Sequence, residues 1–420
     1  MKLKNKIFLF FFLLNTLCYS QKTSKYLDSL LKTDLPQHEK VFANPGKYKL
    51  QIIYTRITRD KNNKPTFKNY YWRADTNKFF YPASLVKLPV SIMAIEKLNE
   101  LKNYGIDRNT PMLTDSAFFC EKRVVKDSSS ENRMPSIAHY IKKMFLISDN
   151  YSFARTYEFL GCDYAHQKLE KWGFPNIRIV NRLDAQCKGD TGKITSPVYF
   201  ISPFGDALYK QPLTYSTYNK PHPLSKAKAG RAYVNDAGKR VYEPKDFSKH
   251  NFMSLQNCHE IFKRLVFYHY MDEKIKYNMA EDDWQFMIKY LGMYPRESQY
   301  PAYDTKIFYD SFKKYFIYAS ADPEITQDTL RVFNIVGRAY GFLSDVAYIV
   351  DYKNKIEFLL SATIFVNEKN IIGSGKYEYD QIGLPLFKDI SNLLYEVEKN
   401  RKKKHEPDLK EFYFFEKITK

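Results

Sequence analysis

Ser84 and Lys87 are the residues of this sequence best suited to covalent chemistry. They bracket the run Ser84-Leu85-Val86-Lys87 and open an apolar segment with helical spacing. A helix brings residues three apart onto one face, so the Lys87 amine can reach the Ser84 hydroxyl. A buried ammonium is costly, which favours a neutral amine that takes the serine proton. Free N–H groups at the helix start would stabilise an oxyanion. The pair predicts a serine nucleophile with a lysine base.

The spacing of this motif is weak evidence by itself, because the chain repeats it three more times, at Ser29/Lys32, Ser225/Lys228 and Ser311/Lys314. Ser84 differs because it follows two predicted strands and opens an apolar helix. It is also followed, 64 residues later, by Ser148-Asp149-Asn150. Ser, Asp and Asn favour helix N-caps, so a purely capping role explains this triplet equally well. Capping and catalysis are compatible.

The elements that must position these residues alternate in type along the chain. Strands are predicted at residues 48–58, 69–73, 329–336, 345–351 and 355–366. Helices are predicted at 84–101, at 135–172 with interruptions at Ser148 and Gly161, and at 254–270, 282–291 and 384–400. Residues 205–250 are polar and predict an extended loop. Strands at both ends of a helical middle predict an α+β fold, with an antiparallel sheet from both chain ends and an inserted all-helical lobe.

Together these motifs resemble the class A β-lactamases and penicillin-binding proteins, whose signature is S-x-x-K followed by S-D-N. Further matches in chain order are Phe80-Tyr81-Pro82-Ala83 before Ser84, Arg182-Leu183-Asp184, and Tyr340-Gly341 followed by Asp345-Val346-Ala347. The resemblance covers about residues 45–400 and implies the β-lactamase/transpeptidase-like fold. Residues 205–305 then form a larger insertion than is usual in that family.

The resemblance implies a role for each matching residue. Ser84 would be the acylated nucleophile, Lys87 its general base, and Ser148 the proton relay to the leaving nitrogen. Asn150 would bind both Lys87 and the substrate amide. The backbone N–H groups of Ser84 and Arg338 would form the oxyanion hole.

Two positions depart from the family pattern. The third motif, K-T-G in the family, reads Ile335-Val336-Gly337 here, so the glycine is kept but the lysine that helps hold a substrate carboxylate is absent. Arg338 could replace that charge if its side chain pointed inward, whereas an outward side chain predicts that neutral substrates react as well as carboxylates. The family's deacylating glutamate corresponds to Cys187, which predicts slow deacylation.

Two acidic residues stand near Cys187, namely Asp184 and Asp190. Asp184 is interpreted as a structural partner of an arginine, since such pairs are common at turns. Asp190 is the other carboxylate that could serve as a base for deacylation.

Composition and charge limit the kinds of molecule that the chain is expected to bind. Formal net charge is +19, which favours anionic surroundings such as envelope polymers over a nucleic-acid partner in an exported chain. Histidines and cysteines show no zinc-ligand spacing, so neither a metal nor another cofactor is predicted. Beyond Cys18, four cysteines remain, and the sequence leaves all three pairings open: Cys120, Cys162, Cys187 and Cys258.

The first twenty residues predict a cleavable signal. Three lysines precede a short apolar run, and Cys18 and Ser20 place small residues before Gln21. Cleavage would leave residues 21–420 as one hydrolase domain in the periplasm or outside the cell, with no transmembrane segment. An uncleaved anchor is one alternative, and a lipid anchor on Cys18 is another, which the bulky Leu17 disfavours.

The sequence therefore predicts an exported serine hydrolase that acts on amide or ester bonds of a small molecule or peptide, including cell-wall material. A non-catalytic or penicillin-binding protein on the same scaffold is the alternative, which the missing lysine at Ile335 favours.

Overall fold

A five-stranded antiparallel sheet forms the centre of the molecule. The computed structural model describes residues 22–117, 122–183, 192–326 and 329–415. The sheet order is β12-β13-β14-β1-β2, so strands from the two chain ends pair through β1 and β14. Their bounds are β1 Gln51–Arg59, β2 Pro65–Trp72, β12 Leu330–Ala339, β13 Phe342–Asp351 and β14 Ile356–Phe365.

The hairpin between β12 and β13 shows why these residues form strands. All ten residues of β13 and of β14 are buried, which suits sheet positions covered on both faces. Tyr340 and Gly341 connect β12 to β13 with φ of 58° and 91°. Two left-handed residues fit a two-residue hairpin turn. A side chain at Gly341 would lie 2.8 Å from Asn367 Cβ, so glycine is required there.

Helices cover both faces of the sheet. One face packs against the N-terminal helices and α10, and the other against α8 and a helical lobe made by α4–α7 and α9. The bounds are α1 Lys25–Asp34, α2 Glu39–Ala43, α3 Pro45–Tyr48, α4 Lys87–Glu100, α5 Ile137–Ile147, α6 Asn150–Leu160, α7 Cys162–Lys171, α8 Leu255–Val266, α9 Glu281–Gly292 and α10 Leu384–Lys399.

Short strands fill the region between the lobe and the sheet: β3 Met112–Thr114, β4 Ile194–Thr195, β5 Val198–Ile201, β6 Ala207–Gln211, β7 Thr214–Tyr215, β8 Lys228–Ala229, β9 Ala232–Val234, β10 Arg240–Val241, β11 Lys245–Asp246 and β15 Ile371–Ile372. β15 pairs in parallel with β9, which ties the region predicted as an insertion to the chain after β14. Part of the predicted loop at 205–250 is thus strand.

The α+β prediction is confirmed, because the sheet does combine both chain ends around a helical lobe. The interruptions predicted at Ser148 and Gly161 are the junctions between α5, α6 and α7. Sequence analysis missed α1–α3, which precede β1. Among the described residues, no helix is long and apolar enough to cross a bilayer. The predicted signal lies outside the described residues and stays a prediction.

Candidate active site

Ser84 lies in a tight turn whose other residues are packed into the core. Residues Ala83–Val86 form one 3₁₀ turn that runs directly into α4. Ala83 has φ of 47°, a left-handed value that costs energy for a residue with a Cβ. Leu85 is completely buried, whereas Ser84 is partly accessible. The packed neighbours therefore fix the backbone and leave the Ser84 hydroxyl facing an accessible side.

Lys87 is completely buried, and its amine joins the two motifs predicted from the sequence. Lys87 Nζ lies 2.8 Å from Ser84 Oγ, 3.0 Å from Ser148 Oγ and 2.7 Å from Asn150 Oδ1. It also donates to the Ser148 carbonyl at 2.5 Å. Burial, and then the positive charge of Lys313, hold the pKa of Lys87 well below its usual range, although Asp149 opposes them. A neutral amine in contact with a serine hydroxyl can act as a base.

The Ser148-Asp149-Asn150 triplet caps a helix and faces Lys87 at the same time. Ser148 ends α5 with φ of 62°. Asp149 caps α6, and its carboxylate accepts from the Ser152 backbone N–H at 2.7 Å. Capping therefore falls on Asp149, whereas Ser148 and Asn150 contact Lys87.

Gly337 brings strand β12 against the Ser84 turn. A Cβ at Gly337 would lie 2.4 Å from the Pro82 carbonyl oxygen, closer than any side chain could approach. Ile335 points to the same face of β12 and is completely buried. The glycine of the predicted third motif is therefore required by close packing on the turn that carries Ser84.

Arg338 points to the opposite face of β12. Its side chain is exposed, and the guanidinium carbon lies 4.3 Å from the centre of the Tyr379 ring, whereas Gly337 faces Pro82. Tyr379 belongs to the core on the far side of the sheet. The outward position considered for Arg338 is the one observed, so its side chain does not replace the missing lysine.

A lysine that sequence analysis missed lies close to the site. Lys313, in the segment between α9 and β12, is buried, and its amine donates to the Met144 carbonyl at 3.3 Å and to the Phe145 carbonyl. Both carbonyls belong to the last turn of α5, just before Ser148. The only sequence signal was a pair of adjacent lysines, Lys313 and Lys314, in an aromatic segment.

The comparison with known families fits this geometry. A sequence model of the β-lactamase enzyme family matches residues 43–204, which include Ser84, Lys87, Ser148 and Asn150. The predicted resemblance to the β-lactamase family is confirmed. No curated protein matches the chain.

Solved β-lactamase structures resemble the chain at low identity. The β-lactamase from Sphaerobacter thermophilus DSM 20745 is 9% identical, with a TM-score of 0.45 over 86% of this chain and 95% of that one. The β-lactamase from Xanthomonas campestris pv. campestris is 9% identical, with a TM-score of 0.46 over 88% and 98%. A class A β-lactamase from Clostridium kluyveri DSM 555 is 12% identical, with a TM-score of 0.42 over 86% and 99%.

The segment from Arg182 to Gly192, for which a part in deacylation was predicted, is described only at its ends. Arg182 is buried and its Nε donates to Glu158 Oε1 at 2.7 Å. Glu158 also accepts from the Ser196 N–H at 2.5 Å. Asp184, Cys187 and Asp190 lie outside the described residues, so their predicted roles stay predictions. Glu158, on α6, is a partner of Arg182 that sequence analysis missed.

Aromatic side chains from the predicted insertion pack against the segment that leads into the Ser84 turn. The Tyr81 ring, three residues before Ser84, is centred 5.3 Å from Phe247 and 5.3 Å from Tyr340. His250 packs against Phe247 at 5.2 Å, and burial followed by the Lys245 charge lowers the pKa of His250 to about 4. This side chain is therefore neutral near pH 7. The insertion thus contributes buried aromatic packing against Tyr81, in the segment that leads into the Ser84 turn.

Metals and disulfides have no support in the described part of the chain. No group of three His, Cys, Asp or Glu residues there could hold a metal ion. Cys162 and Cys258 are buried and free. Cys120 and Cys187 lie outside the described residues, so the pairing of those two stays open.

Proposed function

We propose that the chain is a serine hydrolase, related to the β-lactamases, that forms an acyl-enzyme on Ser84. The observation that carries this proposal is the set of contacts around the Lys87 amine, which lies within hydrogen-bond distance of Ser84 Oγ, Ser148 Oγ and Asn150 Oδ1. These are the nucleophile, relay and orienting residues that the β-lactamase-like resemblance implies.

Acylation begins when neutral Lys87 takes the Ser84 proton as Oγ attacks the substrate carbonyl carbon. The carbonyl oxygen becomes an oxyanion that the backbone N–H groups of Ser84 and Arg338 stabilise. Ser148 then gives its proton to the leaving nitrogen or oxygen, and the bond from the carbonyl carbon to that atom breaks. Lys87 returns its proton to Ser148. The products are an ester on Ser84 and the released amine or alcohol.

Substrates are proposed to be amides or esters, including β-lactams and peptides. The supporting feature is the Lys87 amine beside Ser84 Oγ, an arrangement that suits attack of a serine hydroxyl on an acyl carbon. Cell-wall peptides are one such class, because the predicted signal would place the chain in the envelope. N-terminal sequencing of the exported protein should begin at Gln21, whereas a start at a lipid-modified Cys18 would contradict cleavage after Ser20 and place the chain on a membrane.

The second candidate is a non-catalytic binding protein on the same scaffold. The departure at Ile335 favours it, because a substrate-binding cation of the family is missing from β12. Such a protein would keep the fold and bind its ligand without a covalent step.

Intact mass after incubation with a panel of β-lactams and activated esters separates the two candidates. The proposal expects an adduct of the acyl mass on wild type and on Ser29→Ala, and none on Ser84→Ala. Ser29 is a matched control, since it belongs to another S-x-x-K run and is exposed on α1. Reversible binding of these probes without any adduct would overturn the hydrolase proposal and support the binding protein.

A further inference from the structure

Two adjacent buried lysines, Lys313 and Lys314, lie near the proposed site and have different hydrogen-bond partners. The Lys314 amine donates to the carbonyls of Leu291 and Val332 at 3.0 and 2.8 Å, and to Asn334 Oδ1 at 2.8 Å. Its three N–H bonds are therefore all used, which marks Lys314 as a structural residue. Lys313 points the other way, towards the end of α5.

The contacts of Lys313 lead directly to Ser148. Its amine donates to Met144 and Phe145 carbonyls, and the Ser148 N–H donates to the same Met144 carbonyl at 3.1 Å. Lys87 donates to the Ser148 carbonyl from the other side. Two amines thus hold one short stretch of backbone, at the point where α5 ends and the relay serine begins.

The main chain of Lys313 is fixed by the sheet. Asn334 on β12 donates from Nδ2 to the Lys313 carbonyl at 2.7 Å and to Asp345 Oδ1 at 3.0 Å. Asp345 on β13 also accepts from the Phe316 N–H at 3.2 Å. All three side chains are buried, so the position of the Lys313 amine relative to α5 follows from the sheet.

Among the described residues Lys313 forms no ion pair, and the carboxyl group of Asp345, which interacts with its charge, is hydrogen-bonded to Asn334 and Phe316. Burial raises the pKa of Asp345 to about 7. The charged groups facing Lys313 are Lys87, Lys314 and Asp345, and those facing Lys87 are Lys313 and Asp149. Burial lowers the pKa of Lys313 to about 7. Two buried amines that repel one another cannot both be protonated without a large cost.

We propose that Lys313 is a positioning residue of the acylation step, which orients Ser148 through the end of α5. The positive charge of Lys313 adds to this role, because it disfavours protonation of Lys87. The inference rests on the proposed function, since it assigns Lys313 a part in the reaction at Ser84. A cation from the segment between α9 and β12 thus stands near the site, although β12 itself carries Ile335.

The test measures the rate of adduct formation on Ser84 from pH 5.5 to 9.5, by intact mass with one reactive β-lactam or ester. Lys313→Met removes both the carbonyl bonds and the charge, and Lys313→Arg keeps a positive charge. Lys306→Met is the matched control, because Lys306 is exposed in the same segment. Circular dichroism and thermal unfolding identify the variants that are folded.

For Lys313→Met we expect acylation at pH 7 to fall about 10–100-fold, since small displacements of reacting groups are this costly. The acid limb of the pH profile should move to higher pH by about one unit, because Lys87 regains a proton more easily once the opposing charge is gone. Lys313→Arg should leave that limb at or below its wild-type position, and Lys306→Met should match wild type.

Three results would overturn this inference. One is a Lys313→Met profile that superimposes on wild type, and another is uniform slowing with an unmoved acid limb, which fits a structural lysine. If Lys313→Met does not fold, the Arg variant decides, and an acid limb at higher pH would reject the role of the charge. Failure of the proposed function looks different, since then wild type itself would form no Ser84 adduct with any probe.

Discussion

Ser84 and Lys87 share one set of contacts, so their contributions to acylation should not add. Each substitution removes either the attacking atom or the group that activates it, and the reaction needs both. We expect Ser84→Ala and Lys87→Ala each to abolish adduct formation, with the double variant no slower than the singles. Mass spectrometry of adducts over time measures this. Normal turnover by Ser84→Ala on any substrate would show that the nucleophile lies elsewhere.

A substitution at Gly337 tests how closely strand β12 packs against the turn that carries Ser84. A Cβ there would overlap the Pro82 carbonyl oxygen at 2.4 Å, so β12 or the Ser84 turn must move. We expect Gly337→Ala to lower the free energy of unfolding by about 1–3 kcal/mol, as overpacking does, and to slow acylation. Urea unfolding and adduct kinetics check both effects.

Gly46→Ala is the control for that substitution. Gly46 has no atom within 4 Å of an added Cβ, and its backbone is not left-handed. It should retain wild-type acylation. Equal effects of the two substitutions would mean that contact with Pro82 is not what requires glycine at 337.

At the scale of elements, the residues of strand β12 bear on whether a carboxylate-bearing substrate is preferred over a neutral one. Ile335 is buried and carries no charge, and Arg338 lies on the opposite face over Tyr379. We therefore expect an ester and its carboxylate-bearing analogue to acylate Ser84 at rates within about tenfold, less than a charge-assisted hydrogen bond would cause. Arg338→Ala should not change that ratio. A strong wild-type preference for the carboxylate that persists in Arg338→Ala would place anion recognition on another residue.

The segment after Arg182 is expected to limit the second half-reaction. No carboxylate occupies position 187, and loss of a general base typically costs about 10²–10⁴-fold in rate. Burst kinetics with a long-lived adduct should follow with penicillins. Cys187→Glu should shorten the adduct lifetime, and Cys187→Gln, of similar size without the charge, should not. Rapid steady turnover by wild type would indicate another base, such as Asp184 or Asp190.

Local sequence patterns predicted the two motifs of the site but not Lys313, which lies close to them in the fold. The S-x-x-K and S-D-N runs are local, because each lies within one turn of a helix or at one helix junction, so their spacing carries the signal. Lys313 lies 169 residues after Met144 in the sequence. The two residues meet in the fold, where Asn334 on β12 holds the Lys313 carbonyl. No periodicity reports such a contact. The helices α1–α3 were missed because their short polar segments owe their stability to packing on the sheet.

Across the whole molecule, lysines whose pKa is lowered in the folded state should make stability depend on pH. Lys97 lies in the helical lobe, where its amine donates to the Phe159 carbonyl and, at 2.7 Å, to Gln211 Oε1. Burial lowers the pKa of Lys97 to about 7. The same value holds for Lys313, whereas a lysine in the unfolded chain titrates near about 10.4. Between these values the unfolded chain binds more protons than the folded one, so the free energy of unfolding rises with pH.

The contribution of Lys97 is therefore fully present above about pH 10 and is lost as the pH falls towards 7, with a slope of about 1.4 kcal/mol per pH unit. Urea unfolding of wild type from pH 7 to 9.5 should show stability increasing with pH. Lys97→Met should flatten this slope by about one proton, because the amine that titrates differently in the two states is gone. Lys102→Met, at an exposed position just beyond α4, should keep the wild-type slope. An unchanged slope in Lys97→Met would show that the Lys97 amine stays protonated in the folded protein, stabilised by the Phe159 carbonyl and Gln211.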